Sequence, residues 1–587
     1  MQPFIALDFP AAPGRGRLST TWFSDPIEIL QARAIDQVKS VLQRVDEYVR
    51  SGHHVVGFVS YEAGPAFDPA IATKMPGALP LAWFGVFGEP RLIEIDAGPA
   101  ASRPAVSWHE RHPRASHANA VEAIRQAIAR GDVYQVNHTV RLDVDVTGDP
   151  ESLYRRMIAA QGGGYGACIH TGRFEILSAS PELFFRREGD RLTSEPMKGT
   201  ARRGRWLEED DRRAEALAAS PKERAENVMI VDLIRNDLSR VAEPSTVQAT
   251  RLFDVHRLPT VLQMTSTVEA RVRPDVSTWD IFAALFPCGS VTGAPKIAAC
   301  GVIANLEDDP RGVYCGAIGH IAPDGTATFS VAIRTLTIDH QTARAEYGVG
   351  GGITWDSAGS AEYDELRAKT AILTDDLPDV GLIETMRLEN GQYSRLAFHL
   401  DRLEASAKYF GFEPAARLRA AADAALAAHA RASSSQQRVR IVIWPDAGVD
   451  LHAVPLDRPS PEQSRVALAL TPVRRNNRFL FHKTTHRTVY DQHRAEHPEA
   501  FDVLLWNEDE EITEFTIGNV VVELDGVRVT PPRECGLLAG AMRAQLLRQG
   551  DVVERVVRVE DLKRATRMWL VNSVRGEVEV VTIGPCA

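Results

Sequence analysis

An acidic, proline-bearing break at residues 373–380 (LTDDLPDV) is the feature that most constrains how this chain folds. Proline interrupts regular structure, and neighbouring acids keep such a segment in water. The break lies between two patterned regions, so the chain is read as a domain over 1–372, a linker over 373–380 and a domain over 381–587. A chain of 587 residues is also too long for one core. A second, weaker joint is expected at 431–437 (RASSSQQ), where small polar residues follow an alanine-rich stretch. Upstream of 373, alternating apolar segments at 175–177, 183–186 and 328–333 predict strands. The periodicity of 116–130 and 221–238 predicts helices. Downstream, 438–443, 465–470 and 501–506 predict strands set among helices. Both regions are of α/β or α+β class, and the chain is multidomain.

Composition narrows the function. A net charge of −11 argues against a nucleic-acid or acidic-membrane partner. No apolar run is long enough to span a bilayer, and the start (MQPFIALDFPAAPGRGR) lacks the pattern of a secretory leader. The cysteines at 168, 288, 300, 315, 535 and 586 are scattered without a CxxC pair, as expected of reduced thiols in the cytoplasm.

Lys198, in SEPMKGTAR (194–202), stands between a proline and a glycine. An ordinary lysine, with a pKa of about 10.4, is protonated at neutral pH and is a poor nucleophile. A desolvated one is reactive. Two acidic clusters accompany it, RAENVMIVDL (224–233) and AEYDELRAK (361–369). On a helix Glu362 and Glu365 share a face, with Lys369 one turn beyond Glu365. Alone these are surface ion pairs; the alternative reading is a hard-cation site, since Mg²⁺ takes one or two carboxylates and keeps several waters. The run YGVGGGI (347–353) lacks the dinucleotide spacing, yet its glycines, Gly350 and Gly351 among them, let backbone N–H groups approach an anion. A structural bulge is the plainer reading of that run. Arg334 is expected to end an apolar strand, where its fork could grip a carboxylate. Together these parts describe a site for a small, multiply anionic substrate with magnesium.

The motifs GDVYQVN (131–137), SPE (180–182), PMKGT, RAENVMIVDLIRNDLSRV (224–241), FPCGSVTGAPK (286–296), RGVYCGAIG (311–319), FSVAIRT (329–335) and GGGITWDS…EYDE (350–365) resemble the chorismate-utilising enzymes. The resemblance implies an αββα layered fold. It implies Mg²⁺ on Glu226 and Glu365 with Glu362 in support, and substrate carboxylates placed by Arg334, Tyr314 and Lys369. Lys198 would attack ring C2 while Glu182 protonates the departing 4-hydroxyl, and ammonia would then enter at C4. The lysine in PMKGT looks like the aminodeoxychorismate-forming branch; the anthranilate-forming branch usually has alanine there. Three departures stand out. Gln263 replaces a frequent histidine, Cys288 replaces a glycine, and the tryptophan-pocket motif is absent, so no tryptophan feedback is expected.

Beyond the break, GLIETMR (381–387), HLDRL (399–403), FHKTTHR (481–487), ITEFTIGN (512–519), GLLAGAMR (536–543) and NSVRG (572–576) bring a lysine, an acid and two anion loops, as pyridoxal 5'-phosphate requires. They resemble the class IV (fold-type IV) aminotransferases, built of two small α/β subdomains, and most nearly their aminodeoxychorismate lyase branch. The resemblance makes Lys483 the Schiff-base lysine and proton shuttle and Glu514 the pyridinium partner. Arg402, Ala541, Met542 and Ser573 would hold the phosphate. The combined expectation is synthesis of 4-aminobenzoate from chorismate. Ammonia would come free or from a separate glutaminase subunit, and a homodimer through the second region is left open. Two alternatives remain. One is an anthranilate-type synthase fused to a true transaminase; the other is a second region that only docks.

Overall fold

A thirteen-residue strand, Gln135–Thr147, and the glycine-bearing strand Arg344–Ile353 pair antiparallel over nine residues, from Val136↔Ile353 to Val144↔Ala345. Their alternation of apolar and polar residues buries Val136, Leu142, Val144, Tyr347 and Val349. This ladder lies in the first of two compact units. Unit one comprises Met1–Arg203 and Ala214–Leu377, and unit two comprises Gly204–Arg213 and Pro378–Ala587. The structure, a computed structural model, describes residues 3–10, 20–93, 104–374, 380–412, 414–433, 435–456 and 464–582. Residues 375–379 of the expected linker, 434 of the expected weak joint, much of the first seventeen residues, and Cys586 lie outside the described residues.

Unit one holds two ten-stranded antiparallel sheets. One contains the nine-pair ladder together with Thr335–Asp339, Phe174–Ser180, Tyr165–His170 and Phe4–Asp8. The other contains Met197–Arg202, Val261–Arg271, Arg191–Glu195, Leu183–Glu188, Ala327–Val331, Ala317–Ile321 and His54–Val59. The sheets face one another through Ile5, Ile169 and Ile176 of the first and Val56, Phe58 and Ile318 of the second. Helices cover the outer faces: Val38–Arg50 and Pro221–Ser239 on the second sheet, Pro150–Gln161 and Gly359–Lys369 on the first. This is the expected αββα layering. The strands and helices expected over 116–130, 175–186 and 221–238 are present within a few residues.

Unit two has a four-stranded antiparallel sheet, packed under helices Leu396–Phe410 and Ala415–Ala432, and a nine-stranded mixed sheet. The weak joint expected at 431–437 does not separate two cores, since helix Ala415–Ala432 and strand Gln437–Ile443 pack in one apolar cluster. No helix among the described residues is long and apolar enough to cross a membrane. The five described cysteines are free and buried.

The break does not divide the chain as cleanly as the sequence suggests. Gly204–Arg213 lies in unit two, although the residues on both sides of it lie in unit one. Trp206 causes this. Its indole packs on Phe481 at 5.1 Å and joins a cluster with Ala469, Val473, Leu480, Val503 and Leu505. Tyr409 donates its hydroxyl to the Gly204 carbonyl at 2.8 Å. Truncating a buried tryptophan costs about 3–5 kcal/mol. Trp206→Ala is therefore expected to speed hydrogen exchange in strand Asp502–Trp506 by two orders of magnitude or more, and unchanged protection there would reject the anchoring role of this ring.

Candidate active sites

Lys198 sits where the strand Met197–Arg202 loses register with its neighbour, between the pairs Met197↔Thr265 and Thr200↔Gln263. Such an irregularity re-aims a side chain out of the sheet. The turn is completed by Gly199 at φ +98, a conformation that favours glycine. It is held by Gln263, whose side-chain N–H donates to the Gly199 carbonyl at 2.9 Å and whose carbonyl accepts from the Thr200 hydroxyl at 3.1 Å. Gln263, one of the departures noted above, thus pins the lysine-bearing strand by hydrogen bonds that need no titrating group. Asn227 of the helix Pro221–Ser239 donates to the Lys198 carbonyl at 3.2 Å, so its neighbour Glu226 arrives at the same cavity.

That cavity, with about 1160 Å³ of atom-free space, collects every unit-one residue given a catalytic, metal or substrate role in the sequence reading. Lys198, Glu182, Glu226, Glu362, Glu365, Lys369, Arg334, Tyr314, Gly350 and Gly351 all line it. Burial lowers the Lys198 amine, with Lys369 adding to the effect and Glu226 opposing it. Burial pushes Glu182 up to about 7, against the Ser290 hydroxyl and the Lys198 charge. It also raises Glu226 and Glu362, whereas Lys369 draws Glu365 down.

The glycine run is not the structural bulge of the plainer reading. Gly348–Gly352 continue the nine-pair ladder in unbroken register. Their use is close approach. A Cβ at 352 would lie 2.7 Å from the Lys198 Nζ and 2.4 Å from the Gln135 Nε2. A Cβ at 351 would lie 3.6 Å from the Glu362 Oε2 and 3.9 Å from the Glu365 Oε1. Gly351 therefore leaves open the space before two carboxylates. Hard oxygen donors beside such a space suit Mg²⁺, although among the described residues no three acid, histidine or cysteine side chains converge as a ready metal cluster.

Two expectations need adjustment. Lys369 is already engaged, with Glu365 at 2.8 Å and the Gly350 carbonyl at 2.8 Å. Arg334 does not end a strand; it follows the strand Ala327–Val331 at φ +52, in the turn into Thr335–Asp339. Cys288 sits at φ −59, an ordinary backbone setting that does not require the glycine it replaces. Burial pushes its thiol up to about 12. Gln135, which carried no role in the sequence reading, is fully buried beside Gly352, and its amide has no hydrogen-bond partner among the described residues.

In unit two a second cavity, with about 1420 Å³ of atom-free space, brings together Lys483, Glu514, Arg402, Ala541, Met542 and Ser573. Burial lowers Lys483 to about 8, helped by Arg402 and Arg487. Burial pushes Glu514 up to about 7. It is held by the Tyr490 hydroxyl at 2.8 Å, the Leu538 N–H at 3.2 Å and the Asn519 side-chain N–H at 3.3 Å. Arg402 grips Glu384 at 2.9 and 2.6 Å and the Ala539 carbonyl at 3.1 Å, using three of its five donors. Against burial, Arg402 and His399 hold Glu384 down at about 2. His399 lies 2.8 Å from the Ser573 hydroxyl. The helix Ala541–Gln549 makes its first internal bond from the Ala544 N–H, which leaves the N–H groups of Ala541 and Met542 for an anion. A depressed amine, a restrained carboxyl and an anion cradle are the parts pyridoxal phosphate needs. The sequence reading missed Arg438, Arg440 and Arg487, which line the same cavity; the first two lie two apart on one strand.

Against these two sites, comparison with known proteins is specific. A family model described as chorismate binding enzyme matches residues 8–375. The chain belongs to the chorismate binding enzyme family. A second model, amino-transferase class IV, matches 381–583, so a class IV aminotransferase domain follows the chorismate-binding one and implies pyridoxal phosphate. Over 265 residues the chain is 41% identical to aminodeoxychorismate synthase from Streptomyces griseus, covering 45% of this chain and 36% of that one. Over 276 residues it is 38% identical to aminodeoxychorismate synthase component 1 from Klebsiella aerogenes, covering 46% and 60%. The matches thus span between about a third and three fifths of those relatives. The crystal structure of anthranilate synthase component I from Streptococcus pneumoniae superposes with a TM-score of 0.54 at 26% identity, covering 62% of this chain and 94% of that one.

The tight glycine fit is testable. Gly352→Ala would drive a methyl group against Lys198, and misplacement by about 1 Å costs roughly 100-fold in rate. A loss of that order in chorismate consumption, with unit two still binding pyridoxal phosphate, is expected; a rate within about threefold of the parent would contradict the close approach.

Proposed function

We propose that this chain converts chorismate to 4-aminobenzoate in two steps, amination at ring C4 in unit one and loss of pyruvate in unit two. The observation that carries the reading is Lys198, a half-buried amine that shares a glycine-lined cavity with Glu182. With its proton shed, Lys198 adds to C2 of chorismate. Glu182, still protonated near neutrality, gives its proton to the 4-hydroxyl, which departs as water. Ammonia then enters at C4 and Lys198 leaves as the free amine. Arg334 and Tyr314 orient the substrate carboxylates, and Glu226, Glu365 and Glu362 would hold Mg²⁺ against one of them.

In unit two, pyridoxal phosphate would supply an electron sink that acidifies the carbon bearing the substrate amine. Lys483 would carry it, Glu514 would face its ring nitrogen, and Arg402, Ser573 and the N–H groups of Ala541 and Met542 would hold its phosphate. Lys483 takes the C4 proton, and departure of pyruvate leaves an aromatic ring. Arg438, Arg440 and Arg487 suit a substrate with two carboxylates. Two aminodeoxychorismate synthase relatives carry the words component 1 in their names, and this reading accordingly takes ammonia from solution or from a separate glutaminase.

The test is product analysis after incubation with chorismate, Mg²⁺, pyridoxal phosphate and an ammonium salt. 4-Aminobenzoate with pyruvate is expected. Anthranilate would favour the second reading, which the anthranilate synthase likeness keeps in view. Lys198→Ala should abolish chorismate consumption, while Lys483→Ala should let aminodeoxychorismate accumulate. Continued 4-aminobenzoate release by Lys483→Ala would exclude that residue as the base.

The pH dependence follows from Glu182. A carboxyl raised to about 7 keeps its proton below that pH and loses it above. With free ammonia held constant, kcat/KM for chorismate should fall as pH rises through about 7, and a profile flat to pH 9 would remove Glu182 from the acid role.

A further inference from the structure

Tyr314 lines the unit-one cavity, and a buried cation stands against its ring. In the nine-pair ladder Arg141 lies directly opposite Gly348. With no side chain at 348, the Tyr314 ring takes the vacant place: a Cβ there would lie 2.3 Å from its Cδ1 and 2.4 Å from its Cγ. The Arg141 guanidinium carbon stands 4.9 Å from the centre of the same ring, close enough for a cation–π contact. Arg141 itself does not line the cavity. It also donates to the Pro310 carbonyl at 3.2 Å, which ties the segment leading to Tyr314 to the ladder.

The charge of Arg141 has no other evident use. The side chain is 3% exposed, and its remaining bonds go to uncharged acceptors, the Thr139 hydroxyl at 3.3 Å and the Val140 carbonyl at 3.4 Å. No carboxylate among the described residues pairs with it. The two acids that feel its charge are engaged elsewhere. Glu307 pairs with Arg311 at 2.6 Å, and Glu62 accepts from the backbone N–H groups of Arg311 and Gly312 at 2.6 and 2.9 Å. A buried charge without a counter-ion destabilises the fold that holds it. The anion left for this one is a carboxylate brought into the cavity by a substrate. Burial and Cys315 raise the Tyr314 hydroxyl well above its ordinary range, so it keeps its proton, while Arg141 and Arg311 pull the other way.

We propose that Arg141 is a positioning residue for chorismate binding: it holds the Tyr314 ring against the Gly348 backbone and polarises the Tyr314 hydroxyl toward a substrate carboxylate. This rests on the reading, given under Proposed function, that Tyr314 orients a carboxylate of chorismate. Arg141 touches no substrate and acts through Tyr314. Two consequences separate that role from packing. Loss of the charge weakens binding only while the Tyr314 hydroxyl is present, and it does not weaken the fold, because the charge removed is an unpaired one.

The experiment is equilibrium dialysis of chorismate, with Mg²⁺, against the full-length, pyridoxal-phosphate-loaded Lys198→Ala protein, in which the substrate is not consumed. Arg141→Met, Tyr314→Phe and the pair together are placed on that background, and each protein is also melted. Arg141→Met is expected to raise Kd roughly 3- to 30-fold, the range of a desolvated cation–π contact, without lowering Tm. Arg141→Lys, which keeps a cation by the ring, should restore most of the affinity. Once Tyr314→Phe is present, adding Arg141→Met should change Kd by less than about twofold. An affinity within about twofold of the background in Arg141→Met overturns the proposal, as does a fully additive loss in the double variant. A lower Tm with unchanged affinity makes Arg141 a structural residue and overturns it too. If Arg141→Met does not fold, Arg141→Gln, uncharged but with an amide for the Pro310 carbonyl, goes through the same cycle with the same expectations. A background protein that binds no chorismate overturns the functional reading and the proposal together, whereas intact binding with a silent Arg141 overturns the proposal alone. Because no product is measured, a chain that aminates another ring carbon would leave the result intact.

Discussion

The structure of unit one depends on the antiparallel ladder between Gln135–Thr147 and Arg344–Ile353. Nine consecutive pairs fix one strand in register with the other, and register decides which face every later residue occupies. Five residues of that strand, Gly348–Gly352, include four glycines, which would ordinarily weaken a strand interior. Here the missing side chains let Lys198, Glu362, Glu365 and Tyr314 come close to a flat backbone wall. The ladder supplies the rigidity that the glycines give up, so the wall stays in place while the reactive groups crowd it.

Both cavities tune a lysine by the same physics. An ammonium loses hydration when enclosed, and a neighbouring cation makes the charged form costlier still. In unit one the neighbour of Lys198 is Lys369; in unit two those of Lys483 are Arg402 and Arg487. In each cavity a buried carboxyl is pushed up to about 7, Glu182 in one and Glu514 in the other. Lowering an amine and raising a neighbouring carboxyl narrows the energetic gap that a proton crosses between them.

Much of this was legible in the sequence because it is local. The acidic helix Gly359–Lys369 presents Glu362, Glu365 and Lys369 to one cavity, as spacing alone required. Helix, strand and motif positions in both units follow from apolar periodicity and short signatures. What escaped is nonlocal. Nothing near Trp206 says that its ring will meet Phe481, far away in the chain, and carry Gly204–Arg213 into the other unit. Whether the glycine run is a loop or a strand depends on a partner strand two hundred residues earlier, and only pairing decides it. The support that Gln263 gives the lysine strand depends likewise on the cross-strand register. Arg438 and Arg440 were more accessible: two arginines two apart in an expected strand lie on one face, which the period of two could have shown.

The buried cysteines have a consequence of their own. A thiol reacts as the thiolate, and burial raises Cys288, Cys315 and Cys535 to about 12, 11 and 12. Cys168 and Cys300 are raised as well. The folded chain is therefore nearly mute toward alkylating reagents and oxidants at these positions. Each sulfur becomes chemically visible when its surroundings open. Four of them stand in unit one and one in unit two, so the molecule carries a built-in set of clocks that time the breathing of each unit separately.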